Sequence, residues 1–172
     1  MSLQSLIRSL DVQRLALLVE LEALDVETLQ AKPGPDAWSI LEILEHVVVA
    51  ESVILRGLPP RTDLVAQPRN LGHRLKYVLV TLILRLRIPV KVPSRRMLPS
   101  GQRSLAELRA AWEAHMVWLR ALVAEGEAAA HGSACFTHPV AGPITLAQAL
   151  RMDLLHLGIH WRQIARLLRQ AV

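Results

Sequence analysis

The segment Leu146 to Arg169, LAQALRMDLLHLGIHWRQIARLLR, constrains the fold more than any other stretch of the chain. Leu146, Leu150, Leu157, Trp161, Ile164 and Leu168 recur at helical spacing, while Arg151, Arg162, Arg166 and Arg169 fall on the opposite side. An α-helix turns once in 3.6 residues, so this pattern makes one apolar face that other elements must cover. Thr145 and Gln148 form a capping pair at its start. The chain is rich in Leu, Ala and Val, and Phe, Trp and Tyr make up only 3% of it, which suits close-packed helices better than a sheet.

The rest of the chain supplies the partners. A first helix is expected from about Leu6 to Leu29, with Leu15, Leu18, Val19, Leu21 and Leu24 as its apolar stripe, stopped by Lys32-Pro-Gly-Pro. Ser39 and Glu42 make a capping box for a second, on which Ile40, Ile43, Leu44, Val47 and Ile54 trace one face until Gly57-Leu-Pro-Pro ends it. A polar connection leads to a third helix, about Leu71 to Leu86, and Pro89, Pro93 and Pro99 then impose an extended passage. Ser104 and Glu107 cap a fourth, marked by Leu105, Leu108, Trp112, Met116, Leu119 and Val123 and running to about Glu125; residues 131–144 read as a loop. Four long helices with a shorter one interposed predict an all-α four-helix bundle, a single domain over residues 1–172, with a crossover from 57 to 103 that carries the short extra helix.

Composition narrows the function. Cys135 is the single cysteine, which excludes an intrachain disulfide and a Cys-rich zinc knuckle. No secretory signal is visible, and the longest apolar run, Tyr77 to Leu84, falls far short of the roughly 20 residues a bilayer requires. A soluble, cytoplasmic protein is expected. The net charge of +5 is uneven: residues 61–100 carry nine Arg or Lys against one Asp, whereas residues 1–60 are net −5. The basic segment 74–96 suits an anionic small molecule or a membrane surface, and its plainest reading is a solvated face balancing the acidic first third. Nucleic acid is disfavoured, because no groove-reading helix or pattern of stacking aromatics accompanies the charges.

His156 and His160 stand one turn apart near the end of the last helix, about 6 Å along its axis, with His160 inside the apolar arc and His156 at its edge. They read either as one core histidine with a half-exposed neighbour, or as two ligands of one metal ion. Asp153, a turn before His156, and Gln163, a turn after His160, are the acceptors that metal-bound imidazoles usually need for their other N–H. His46, on the flank of the second helix's apolar face, is the best third ligand, and Glu42 one turn earlier is placed to orient it or act as a base. Glu51 lies in the middle of that apolar stripe, either as an inward carboxylate in a polar network or at the edge of a cleft. His115 faces inward with Trp112 and reads as a core residue; His138 reads as a loop brace, and His73 and His131 as surface residues. Cys135 near His138 gives only a weak nucleophile pattern. Trp38 is expected to plug the start of the second helix and Trp161 to shape the pocket beside His160.

Trp38-Ser39, Glu45-His46 through Glu51, Phe136-x-His138-Pro139 with Gly142, and His156-x-x-x-His160-x-x-Gln163-Ile164 together resemble the DinB/YfiT-like family of four-helix bundles, over nearly the whole chain. The resemblance implies a divalent metal, nickel or zinc foremost and iron or manganese next, held by one histidine of the second helix and two of the last; these map onto His46, His156 and His160. It also implies thiol-dependent transferase or isomerase chemistry with a low-molecular-weight thiol such as bacillithiol or mycothiol, or a hydrolase reaction, on a small-molecule substrate. Glu42 and Asp153 are the carboxyl groups expected to move the proton. The alternatives are a non-catalytic homodimeric bundle with a structural metal, and peripheral binding through segment 74–96. Sequence leaves open whether the chain is an enzyme.

Overall fold

The computed structural model describes residues 2–60, 63–124 and 133–170; His131 and the expected end of the fourth long helix at Glu125 lie outside them. Helix α1 spans Leu3–Glu22, a short α2 spans Val26–Gln30, α3 spans Ile40–Ile54 and α4 spans Leu71–Leu86. A 3-10 turn, Arg95–Met97, precedes α5, Leu105–Ala124. Strands β1, Phe136–His138, and β2, Gly142–Ile144, form a small antiparallel hairpin, and α6 covers Leu146–Gln170.

Helices α1, α3, α5 and α6 close a four-membered ring, each packing on two others, while α4 leans on α6 and β2 from outside. This is the expected all-α bundle with a crossover helix. Ion pairs fix the sense of one side: Asp11 meets Arg120, Arg14 meets Glu113 and Glu22 meets Arg109, so α5 runs antiparallel to α1. The core holds Leu10, Leu17, Leu21, Leu44, Trp112 and Ile164, all essentially inaccessible.

The structure alters three expectations. The first helix does not continue to Leu29. It stops at Glu22, and Asp25 starts α2 by accepting from the Thr28 amide at 2.7 Å, because a short carboxylate competes with helix interior geometry and favours the cap. The stripe of α1 is also rotated. Leu15 and Val19 face outward, and their place is taken by Leu10, Leu17 and Arg14. The Arg14 guanidinium enters because Asp11 at 2.8 Å and Glu113 at 2.7 Å neutralise it there. Finally, the loop before α6 contains the hairpin. Its strands are three residues long, too short to show a period, and Gly142 turns the chain at φ +73° with the His73 ring 3.0 Å from where a Cβ would stand.

The start of α3 follows the sequence closely. Ser39 accepts from the Glu42 amide and the Glu42 carboxylate accepts from the Ser39 amide, closing the capping box. At its far end the chain leaves through Arg56, Gly57 and Leu58, all at positive φ, and so turns away from the bundle towards the crossover.

Candidate metal centre

His46 projects from α3, and His156 and His160 from α6, into the seam where these two helices pack. Ring centroids of the three imidazoles lie 4.5–5.1 Å apart, and one ligand nitrogen from each falls within 4.8 Å of the others. Nε2 of His156 and Nε2 of His160 are 3.1 Å apart. Two ligands at about 2.0–2.1 Å from one tetrahedral ion would be separated by roughly 3.3 Å, so the pair is already at coordinating distance.

The outer nitrogens are tied. Nδ1 of His46 donates to the Met97 carbonyl at 2.7 Å, and Nδ1 of His160 donates to Oε1 of Gln163 at 2.9 Å. An imidazole whose proton sits on Nδ1 presents a bare Nε2 lone pair, the form a metal requires. Burial drives all three histidines towards the neutral state. It lowers His46 despite the Met97 bond, and lowers His160 to about 4 together with the nearby His46. His156 is lowered as well, by burial foremost and then by the neighbouring imidazoles. The donor set therefore fits a divalent ion of intermediate softness. His156 and His160 are both half-buried rather than one inside and one at the edge, so the cluster retains an approach from solvent.

Gln163 stands where the sequence placed it. The other expected partners are engaged differently. Asp153 is buried on the same helix, but its charged neighbour is Glu51, and its Oδ2 has no hydrogen-bond partner among the described residues. Burial first, and the Glu51 charge second, push its carboxyl well above the ordinary value. Glu51 is the inward carboxylate: Nε1 of Trp112 donates to its Oε2 at 2.6 Å, and His115 Nδ1 lies 3.6 Å from its Oε1. Glu42 holds Lys32 at 2.7 Å in addition to its capping bond, contacts that keep its carboxyl below the usual range against a burial effect in the other direction.

Glu45 and Met97 were not singled out for the site by their chemistry. Glu45 is buried and accepts from Ser100 Oγ at 2.7 Å and from the Gly101 amide at 2.9 Å, pinning the end of the crossover to α3 beside His46. The hint was a carboxylate next to a histidine in an otherwise apolar helix; for Met97, which contributes only a backbone carbonyl, sequence carries no signal. Trp38 tilts against the His46 ring with centroids 5.0 Å apart, and Nε1 of Trp161 donates to Glu20 at 2.9 Å. His138 accepts the amides of Val140 and Ala141, both at 3.1 Å, and so braces the hairpin turn. His73 closes a capping box with Asn70 at the start of α4. Cys135 is buried and its thiol is pushed up, opposite to what an activated nucleophile needs. A depression of about 320 Å³ between the ends of α1 and α5, beside Asp11 and Arg120, shares no residue with the histidine cluster.

A model of the DinB superfamily matches residues 9–164, a span that contains every residue of the cluster. The chain belongs to the DinB superfamily. No curated relative and no solved structure matches it significantly. Membership agrees with a helical bundle that gathers three histidines between its second and last long helices, and no helix of the described residues is long and apolar enough to cross a membrane.

Proposed function

We infer that this DinB-superfamily chain binds a divalent metal ion through His46, His156 and His160 and uses it in a transferase or hydrolase reaction on a small molecule. The observation that carries this reading is the convergence of three imidazoles, two of which, His46 and His160, already have their outer nitrogens held by Met97 and Gln163. Imidazole donors suit nickel or zinc foremost, with iron or manganese as weaker fits. When bound, such an ion lowers the pKa of a coordinated water or low-molecular-weight thiol so that a nucleophile exists near neutral pH.

The chain's own groups divide the remaining work. Met97 and Gln163 hold two imidazole planes and fix their tautomers. Asp153, kept protonated by burial, is the proposed internal proton donor, and Glu42, nearer solvent and bonded to Lys32, the proposed exchange point with water. Self-association would use an apolar stripe left outside the bundle, such as Val12, Leu15 and Val19 on α1.

Elemental analysis of untagged protein tests the centre. The expected result is a divalent ion in the wild type and its loss in His46→Ala and His160→Ala; unchanged metal content in both variants overturns the site. A panel pairing low-molecular-weight thiols with electrophiles, run beside ester and amide hydrolysis, tests the reaction class, and metal-dependent turnover of neither kind overturns the catalytic reading.

A further inference from the structure

Helix α4 uses one face to join the fold and leaves the other bare. Val80 is buried, and Tyr77 and Leu84 pack against the core on the side that meets α6 and β2. On the far side Leu71, Leu75, Val78, Leu79, Leu82 and Leu86 are all exposed; Leu75 stands 62% and Val78 61% open to solvent. At 100° per residue these six fall within an arc about 100° wide, centred nearly opposite Val80. Arg74 and Arg85 border one edge of the arc, Lys76 borders the other, and all three are exposed. The same character continues past the helix, where exposed Ile88 and Val90 lie between Arg87 and Lys91.

Charge decides what covers this face. From Leu64 to Ala106 the sequence holds nine Lys or Arg and no acidic residue. A second copy meeting α4 across a two-fold axis would set these cationic borders against each other with no carboxylate on the segment to pair them, which opposes association there. An anionic bilayer meets both requirements together. The leucine stripe enters the boundary between headgroups and acyl chains, and the bordering Arg and Lys side chains extend their charged ends to the lipid phosphates. We propose that α4 and the basic segment after it form a docking face for anionic membrane surfaces, a function separate from the metal centre.

Sedimentation of the full chain with phosphatidylcholine vesicles containing about one third phosphatidylserine, beside pure phosphatidylcholine vesicles, tests this. Binding to the anionic vesicles alone is expected, falling steeply between low salt and 0.5 M salt. Each neutralised cation, as in Arg74→Ser or Arg85→Ser, should weaken it about fivefold. Leu75→Gln with Leu79→Gln should abolish it, and since both side chains are exposed the thermal midpoint should stay within a few degrees of the wild type. Equal binding to neutral vesicles, or none to anionic vesicles at low salt, overturns the proposal. So does anionic binding that survives the double leucine change, which would assign the face to an acidic polymer held by charge alone. A dimer that the double change converts to monomer, in protein that binds no vesicle, would give the face to a second copy instead.

Discussion

Replacing Asp153 by asparagine turns the buried carboxyl into an amide of nearly the same volume and removes its ionisation. In the native fold Asp153 is about 5% exposed, lacks a partner for Oδ2 among the described residues and faces the Glu51 charge, and its carboxyl is held well above the ordinary value of 3.8, by burial foremost. The sign follows from linkage. Because the folded state holds the proton more tightly than the unfolded chain does, the contribution of Asp153 is fully present below the unfolded value. It is then eroded as pH rises towards the folded one. Across that window the wild type loses about 1.4 kcal/mol per pH unit relative to a variant that cannot ionise. For a chain of this length 1 kcal/mol moves Tm by about 2–4 °C, so the melting curves of Asp153→Asn and wild type should separate by roughly 3–6 °C per pH unit above about pH 4, the variant being more stable. Thermal melts of metal-free protein from pH 4 to 7, followed by circular dichroism, measure this. A Tm difference that does not change with pH, or one that turns against the variant as pH rises, refutes the reasoning, because the carboxyl would then be ionised in the fold at little cost.

Three further outcomes follow from the same geometry. Gln163→Leu removes the acceptor of His160 Nδ1 without touching a ligand, and should weaken zinc binding about 10–100-fold in a competition titration while leaving the helical circular dichroism unchanged. Because burial lowers the ligand histidines, His160 to about 4, the site should stay deprotonated and keep its metal at pH 5.5, where histidines titrating near 6.5 are mostly protonated; metal release with a midpoint near pH 6.5 would contradict this. Trp112→Phe strips the 2.6 Å donor from the buried Glu51 carboxylate and should cost about 2–3 kcal/mol, read as a Tm lower by roughly 4–12 °C.

The histidine cluster was legible because His156 and His160 share one helix, where spacing alone fixes their relation, and His46 sat on the flank of another helix's apolar face. The capping boxes at Ser39 and Thr145 were equally plain, since each depends on residues three apart. What escaped depends on contacts between distant segments. Arg14 is buried because Glu113, far along the chain, joins Asp11 in neutralising it. Asp153 lies one turn from His156, which suggested an orienting role, but helix packing sets it beside Glu51 instead. The hairpin at Phe136–Ile144 was hidden by its brevity, and the carbonyl that orients His46 belongs to no side chain.

That carbonyl ties the crossover to the proposed metal centre. Glu45 fastens Ser100 and Gly101 to α3 on one residue, and His46 takes the Met97 carbonyl on the next. Gly101 sits at φ +72° with the Glu42 carboxylate 3.1 Å from where a Cβ would be, so a side chain there would be strained and would press on Glu42. Lengthening or shortening the connection by a single residue between Ser94 and Gly101 would therefore shift a carbonyl away from an imidazole, freeing the His46 proton to change nitrogen. Variation that a bundle normally absorbs without consequence in its connections would, at this one place, decide which lone pair faces the ion.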